Sequence, residues 1–203
     1  CERRVAATPE TVKKLIALGY QVALESGAGV ESSFPDQAYR DAGAHVRDAA
    51  TAASDADIVL KVQRPMTAAE GTDEIAMLKP GATVIALFNP HGARAELPLY
   101  AERKINTLAM ELVPRITRAQ SMDVLSSQAN LAGYRAVLDA ATEFGRAFPM
   151  MMTAAGTIPP TRVMVMGAGV AGLQAIATAR RLGAVVSATD VRMAAKEQVQ
   201  SLG

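Results

Sequence analysis

Residues 163–172 read Val163-Met164-Val165-Met166-Gly167-Ala168-Gly169-Val170-Ala171-Gly172. The first four form an apolar run, which is typical of a short strand buried on both faces of a parallel sheet. A helical pattern follows and ends at Gly183, and a second strand pattern, 184–190, ends on an acid, Asp190. A glycine pattern alone is weak evidence, but the strand before it, the helix after it and the acid beyond it are the context of a dinucleotide-binding βαβ unit. This stretch predicts a Rossmann-type fold.

Each glycine of the turn has its own physical role. Gly167 permits a tight turn, Gly169 leaves room for a pyrophosphate, and Gly172 lets the helix pack close to the strand. The phosphates would meet free backbone N–H groups at a helix N-terminus, where the helix dipole favours negative charge. The alternative is a glycine-rich turn that only packs an α/β unit, and the matched context disfavours it.

The acid at the end of the second strand bears on cofactor choice. Asp190 can accept hydrogen bonds from an adenosine ribose, and it would repel a 2′-phosphate. Arg192, two residues further on, can offset that repulsion by binding a phosphate. Because the acid stands at the strand end itself, we expect NAD(H) rather than NADP(H). The predicted cofactor-binding residues are Gly167, Gly169, Val170, Gly172, Asp190, Val191 and Arg192.

The N-terminal part of the chain alternates short β-branched runs with helical patterns. A first helix starts at Thr8-Pro9-Glu10, where Thr8 can accept from a free N–H and Pro9 loses nothing at the first helical position, and it ends at Gly19. Strands are predicted at 21–25, 44–46, 57–62, 83–88 and 105–109, and helices near 35–42, 48–53, 68–77 and 96–103. This alternation indicates crossover connections and a parallel sheet. Residues 1–120 are predicted to form an N-terminal α/β domain.

A long helix is predicted next. From Ser121 to Phe148 apolar and small residues recur three to four apart without a proline, which corresponds to a helix of about 40 Å with weak points at Gly133 and Gly145. Residues 121–160 are predicted as this linker helix followed by a loop at 153–160, and residues 161–203 as the first βαβ of an NAD-binding Rossmann domain. The expected fold class is α/β, with two Rossmann-like doubly wound domains joined by a long helix and the second one truncated. The chain opens on Cys1 without an initiator Met and stops within a helical pattern, so we expect a fragment.

The bulk composition disfavours several classes of function. The net charge of +1 gives no field that would recruit nucleic acid, and aromatic residues are only 4% of the chain. No apolar stretch approaches the ~20 residues that span a bilayer. The single cysteine indicates a reducing compartment, and the two histidines are far from it in sequence, so we expect no metal site.

The most specific pattern lies just before and within the predicted long helix. Residues 110–135 read MELVPRITRAQSMDVLSSQANLAGYR. This run resembles the signature of the NAD(H)-binding component of proton-translocating NAD(P) transhydrogenase, in which a loop with Arg, Gln and Asp holds the nicotinamide end. The resemblance implies Arg115, Gln120 and Asp123, with Ser126 beside them, as the residues of the hydride-transfer site. It continues through residues 147–157 and the glycine turn to Asp190-Val191-Arg192, and so covers nearly the whole chain.

This resemblance implies a function. The chain would bind NADH and present it for direct hydride transfer to NADP+ on a separate NADP(H)-binding component, coupled in the whole enzyme to proton translocation by a membrane component. It also implies a homodimer that is cytoplasmic and peripheral to the inner membrane through its partner subunits, and a fragment that is inactive alone. Hydride transfer between nicotinamides releases no proton, so the site needs orientation rather than a general acid or base.

Three alternatives stay open. Asp123 can serve only as a helix cap, since Ser121 can cap the long helix and Asp123 suits its positive end, and one residue can do both. Alanine dehydrogenases are similar in architecture and in the stretch Arg4–Pro9, which would make Arg4 and Lys61 substrate ligands, with His91 as the only available proton donor after a strand. The third alternative is a nucleotide-binding or interaction module without turnover.

Overall fold

The computed structural model describes residues 2–202 and divides the chain after Met122 into two compact units. Both units are α/β with parallel sheets, as the sequence predicts. The first unit contains five strands and five α-helices, and the second contains four strands and three α-helices within the described residues.

The strands of the first unit form two parallel sheets. β1 (Ala23–Glu25) pairs with β2 (His45–Arg47), and β3 (Ile58–Gln63), β4 (Thr83–Leu87) and β5 (Asn106–Ala109) form a second sheet in the order β3-β4-β5. The central strand, β4, buries Val84 and Ala86 completely or almost completely. All five strands lie at the predicted positions, with ends that differ by one or two residues.

The helices of the first unit follow the predicted pattern, with one exception. They are α1 (Pro9–Ala17), α2 (Asp36–Asp41), α3 (Ala49–Ser54), α4 (Glu74–Met77) and α5 (Leu97–Glu102). The predicted start of α1 is confirmed, because the Thr8 hydroxyl accepts a hydrogen bond from the Thr11 N–H at 3.3 Å. The helix predicted near 68–77 is wrong as a single element. A 3-10 helix, Ala68–Glu70, ends at Gly71, whose φ of 129° cannot continue a right-handed helix.

Two aromatic side chains organise the cores of this unit. Tyr39 is fully buried, and its hydroxyl donates to the Ala7 carbonyl at 2.9 Å. A Cβ atom on Gly29 would lie 2.6 Å from the Tyr39 ring, so the glycine at this turn is required by packing. In the other core, Tyr100 packs edge-to-face on Phe88 with ring centroids 5.5 Å apart. Burial raises the pKa of Tyr100 to about 12.

The second unit contains the predicted βαβ motif. Its elements are α6 (Val124–Glu143), β6 (Met151–Thr153), β7 (Gly156–Ile158), β8 (Arg162–Met166), α7 (Val170–Arg181), β9 (Val185–Thr189) and α8 (Ala195–Ser201). β8 and β9 pair in parallel from Arg162↔Val185 to Met166↔Thr189, and α7 is the crossover between them. The motif therefore brings the carboxyl ends of both strands to the same edge, beside the N-terminus of α7.

α6 is shorter at both ends than the predicted helix at 121–148. Asp123 is its N-cap, so the prediction that Ser121 caps it is wrong: Ser121 lies in a 3-10 helix, Thr117–Met122. At the other end Phe144 is the C-cap, and Gly145 follows with a φ of 29°. The 20 residues of α6 correspond to about 30 Å.

Part of the loop predicted at 153–160 is a strand. β6 and β7 pair antiparallel from Met151↔Ile158 to Thr153↔Gly156, which makes a tight hairpin. Gly156 has a φ of 135°, a conformation that glycine adopts without strain, and the Thr153 hydroxyl accepts from the Ala155 N–H at 3.2 Å. Because both strands are exposed, they lack the alternation of apolar and polar residues that would have predicted them.

Candidate nucleotide-binding site

The glycine turn joins β8 to α7 and has the geometry that a dinucleotide-binding turn needs. Gly167 has a φ of 95°, which L side chains rarely adopt. A Cβ atom on Gly172 would lie 1.8 Å from the Gly167 carbonyl oxygen, so the helix can approach the turn only with glycine there. A Cβ on Gly169 would meet nothing within 4 Å, and this glycine therefore opens space beside the turn rather than filling a packed position.

The N-terminus of α7 can hold an anion at that open space. Gly169 is the N-cap, and no side chain of the described residues caps the helix there. The first N–H groups of any helix lack intrahelical partners, and the dipole of a 12-residue helix adds positive potential at this end. Val170, the first residue of α7, is 42% exposed, so solvent and ligands can reach the turn. This arrangement is the one that binds phosphate in α/β folds.

Asp190 follows β9 and is tied to the glycine turn. Its Oδ2 atom accepts a hydrogen bond from the Ala168 N–H at 2.7 Å. Its Oδ1 atom accepts one from the Arg192 N–H at 2.8 Å. The carboxylate thus links the end of one strand to the turn that follows the other, and it stands at the carboxyl edge of the sheet.

Arg192 makes a bidentate ion pair with the same carboxylate. Its Nε donates to Oδ1 of Asp190 at 3.0 Å and its Nη2 donates to Oδ2 at 3.1 Å. The Asp190 side chain is only 9% exposed, whereas that of Arg192 is 62% exposed. The Arg192 guanidinium, with the Ala168 and Arg192 backbone N–H groups, holds the pKa of Asp190 well below its ordinary value. Asp190 is therefore ionised throughout the neutral range, and Val191 between the two is fully exposed.

The predicted nicotinamide residues fall into two groups. Asp123 and Ser126 lie together at the start of α6, where Oδ1 of Asp123 accepts from the Ser126 N–H at 2.9 Å and Oδ2 accepts from the Ser126 hydroxyl at 2.6 Å. Asp123 is thus a helix cap in this structure. Arg115 and Gln120 are exposed residues of the first unit, with Gln120 in the 3-10 helix Thr117–Met122. The role of these four residues in cofactor contact stays a prediction.

The residues that an alanine dehydrogenase would use are paired with carboxylates of this chain. Arg4 donates through Nε and Nη2 to the two carboxylate oxygens of Glu2, both at 2.8 Å. Lys61 donates to Glu74 at 2.6 Å, and the second oxygen of Glu74 accepts from the Met66 N–H. His91 is exposed in the loop after β4. Arg4 and Lys61 therefore each have their positive charge balanced locally.

Gly133 matters to this unit in a way that the sequence did not reveal. A Cβ atom on Gly133 of α6 would lie 2.0 Å from the Ala171 carbonyl oxygen in the first turn of α7. The Asn130 side chain also donates to the Gln174 side chain at 3.1 Å between the same helices. The available signal was the spacing of small residues on each helix, four apart, which permits close helix packing.

The structure adds two observations about other kinds of site. Within residues 2–202, no group of three His, Cys, Asp or Glu side chains lies together in the way that metal ligands do. None of the helices in that part of the chain combines the length and the apolar character needed to cross a membrane.

The family models for the N-terminal and C-terminal domains of the alanine dehydrogenase/PNT family match residues 1–132 and 136–203. The chain belongs to this family. It is 64% identical over all 203 residues to an NAD(P) transhydrogenase subunit alpha polypeptide of Rhodospirillum rubrum, of which it covers 53%. The crystal structure of transhydrogenase from Sinorhizobium meliloti superposes with a TM-score of 0.94 at 62% identity, over the whole of this chain and 57% of that one. The predicted resemblance to transhydrogenase is confirmed.

The alanine dehydrogenase branch of the family is more distant. An L-alanine dehydrogenase structure superposes with a TM-score of 0.83 at 26% identity, over 99% of this chain and 55% of that one. The shared fold confirms the predicted fold class. The chain spans about half the length of the relatives it matches.

Proposed function

We propose that this chain binds NADH through its second unit and presents the nicotinamide for direct hydride transfer to NADP+ on a partner component. In the whole enzyme this transfer is coupled to proton translocation. The observation that carries the proposal is the glycine turn, open at Gly169 and linked through Ala168 to Asp190, in a chain that is 64% identical over its full length to a transhydrogenase subunit.

The residues of the turn and of β9 would bind the adenosine half of the cofactor. The N-terminal N–H groups of α7 would bind the pyrophosphate, and Asp190 would accept hydrogen bonds from the ribose hydroxyls. The space beside Gly169 supports this, because no side chain has to move for a phosphate to reach the helix. NADH supplies the hydride when it is bound, and the protein supplies position.

Arg115, Gln120, Asp123 and Ser126 would orient the nicotinamide end. An Arg, an amide and a carboxylate can hold a carboxamide and ribose hydroxyls without exchanging a proton themselves. Asp123 can cap α6 and meet the cofactor together, because each carboxylate oxygen accepts more than one hydrogen bond. This double use supports a site that is held in place by the helix it caps.

The partners follow from the same proposal. They are the NADP(H)-binding and membrane components of the transhydrogenase, with this chain cytoplasmic and held peripherally at the inner membrane by those subunits. We also propose a homodimer. The net charge of +1 supports protein partners rather than nucleic acid.

The second candidate function, alanine dehydrogenase, has less support. Arg4 and Lys61 would have to bind the carboxylate and carbonyl of a keto acid, yet Glu2 and Glu74 already hold them at 2.8 and 2.6 Å. Displacing an internal carboxylate for each substrate contact would weaken keto-acid binding. The reading as a module without turnover differs only in predicting binding without transfer.

The test uses the full-length polypeptide that contains this chain, combined with its NADP(H)-binding partner. We expect hydride transfer from NADH to an oxidised NADP analogue, followed by absorbance, and no amination of pyruvate. Lys61→Ala should leave transfer unchanged within a few-fold. Pyruvate amination that is lost in Lys61→Ala, without transfer to the analogue, would show an alanine dehydrogenase, and NADH binding without either reaction would show a binding module.

A further inference from the structure

The Asp190 carboxylate has no acceptor position to spare. A carboxylate offers about four lone-pair positions. Four N–H donors reach them here: one from Ala168, one from the Arg192 backbone and two from the Arg192 guanidinium, at 2.7, 2.8, 3.0 and 3.1 Å. An adenosine ribose that binds Asp190 must therefore compete with the Arg192 side chain for the same oxygens.

The guanidinium that Asp190 holds is also the group best suited to bind a 2′-phosphate. Arginine recognises phosphate through two parallel N–H bonds, and Arg192 uses this fork on Asp190 instead. Its side chain is 62% exposed, so it is free to turn toward a ligand once the carboxylate no longer holds it. Repulsion by Asp190 is thus only one of two ways in which this pair can disfavour NADP(H).

We propose that Arg192 is a specificity-determining residue whose capacity to bind a 2′-phosphate is withheld by its ion pair with Asp190. The preference for NADH then depends on the pair: Asp190 both accepts from the ribose and keeps Arg192 from a phosphate. This inference rests on the proposed function, because it requires that the adenosine half of a nicotinamide dinucleotide binds at the glycine turn.

The experiment measures NADH and NADPH binding by calorimetry to the full-length polypeptide, free of its NADP(H)-binding partner. Four forms are compared: the unmodified protein, Asp190→Asn, Arg192→Ala and the double variant. Asn is the matched change, because its carbonyl oxygen can still accept from the Ala168 N–H while its amide cannot hold the guanidinium. Asp190→Ser, a smaller side chain, provides a second variant, and a thermal unfolding curve checks each form.

In Asp190→Asn we expect NADPH to bind at least about tenfold more tightly, because a bidentate arginine–phosphate interaction becomes available. The gain should disappear in the double variant. Arg192→Ala alone should bind NADH as tightly as the unmodified protein or up to about fivefold more tightly, since a competitor for Asp190 is gone.

Two results would overturn the inference alone: an NADPH gain that persists in the double variant, which repulsion by Asp190 would explain, or a loss of NADH affinity beyond about tenfold in Arg192→Ala. Failure of the unmodified protein to bind NADH would instead overturn the proposed function, and this inference with it.

Discussion

Gly133 of α6 and Ala171 of α7 approach so closely that a Cβ atom on Gly133 would lie 2.0 Å from the Ala171 carbonyl oxygen. Both residues are in the second unit, and Ala171 lies in the first turn of α7, next to the glycine turn. α6 also carries Asp123 and Ser126 at its N-terminus. The contact therefore sets the position of one group of predicted site residues relative to the other.

We expect Gly133→Ala to destabilise the protein although alanine is the better helix former. The gain in helix propensity is about 1 kcal/mol, but the methyl group would overlap a backbone oxygen, and overpacking typically costs ~1–3 kcal/mol. A net loss of about 1 kcal/mol in the free energy of unfolding, measured with urea, is the expected result. Ala132→Ser, which adds one atom at the exposed neighbouring position, is the matched control. A Gly133→Ala variant as stable as that control would contradict the packing argument.

The glycine turn offers a pair of substitutions with opposite expected outcomes. Gly169→Val should abolish cofactor binding while the free energy of unfolding changes by less than about 1 kcal/mol, since the side chain points into open space that a phosphate needs. Gly172→Ala should instead destabilise the fold, because its Cβ would lie 1.8 Å from the Gly167 carbonyl oxygen. NADH titration and urea unfolding distinguish the two. Retained NADH affinity in Gly169→Val would show that the turn is purely structural.

Local chemistry made much of this fold predictable from the sequence. The Thr8 cap, the strands of both units and the positive φ of Gly167 each depend on a few neighbouring residues, so the pattern contains the information. The βαβ motif was predictable for the same reason, since strand, turn, helix and second strand follow one another along the chain.

Features that depend on a partner distant in sequence were not predictable. Which donor reaches Asp190 is decided by how β8 and β9 pair, and the sequence offered no reason to choose Ala168. Gly133 read as a weak point of a helix, whereas the structure requires it for contact with Ala171. The hairpin at Met151–Ile158 has no buried face and hence no alternating pattern to reveal it.

Glu70 predicts a pH dependence of stability in the first unit. The Arg64 guanidinium, followed by the Thr67 backbone N–H and hydroxyl, lowers the pKa of Glu70 to about 2. A lowered pKa in the folded state means that the interaction stabilises the protein fully above the ordinary value of 4.5 and is lost as pH falls from there toward 2. The difference in free energy of unfolding between the unmodified protein and Glu70→Gln should be constant from pH 7 to about pH 5 and shrink below it. A difference that is unchanged from pH 6 to pH 3 would contradict this.

Asp123 allows helix capping and cofactor orientation to be measured separately. Asn caps helices about as well as Asp, so Asp123→Asn should keep the bond from the Ser126 N–H and change stability little, whereas Asp123→Ala should lose about 1 kcal/mol. If Asp123 orients the nicotinamide, Asp123→Asn should slow hydride transfer by about 100-fold, because a misplacement near 1 Å has that effect, while NADH affinity changes much less. Gln120→Asn should behave alike. The full-length enzyme with its partner is assayed for single-turnover transfer, NADH binding and urea unfolding. Unimpaired transfer in Asp123→Asn, with lost stability in Asp123→Ala, would leave Asp123 as a helix cap alone.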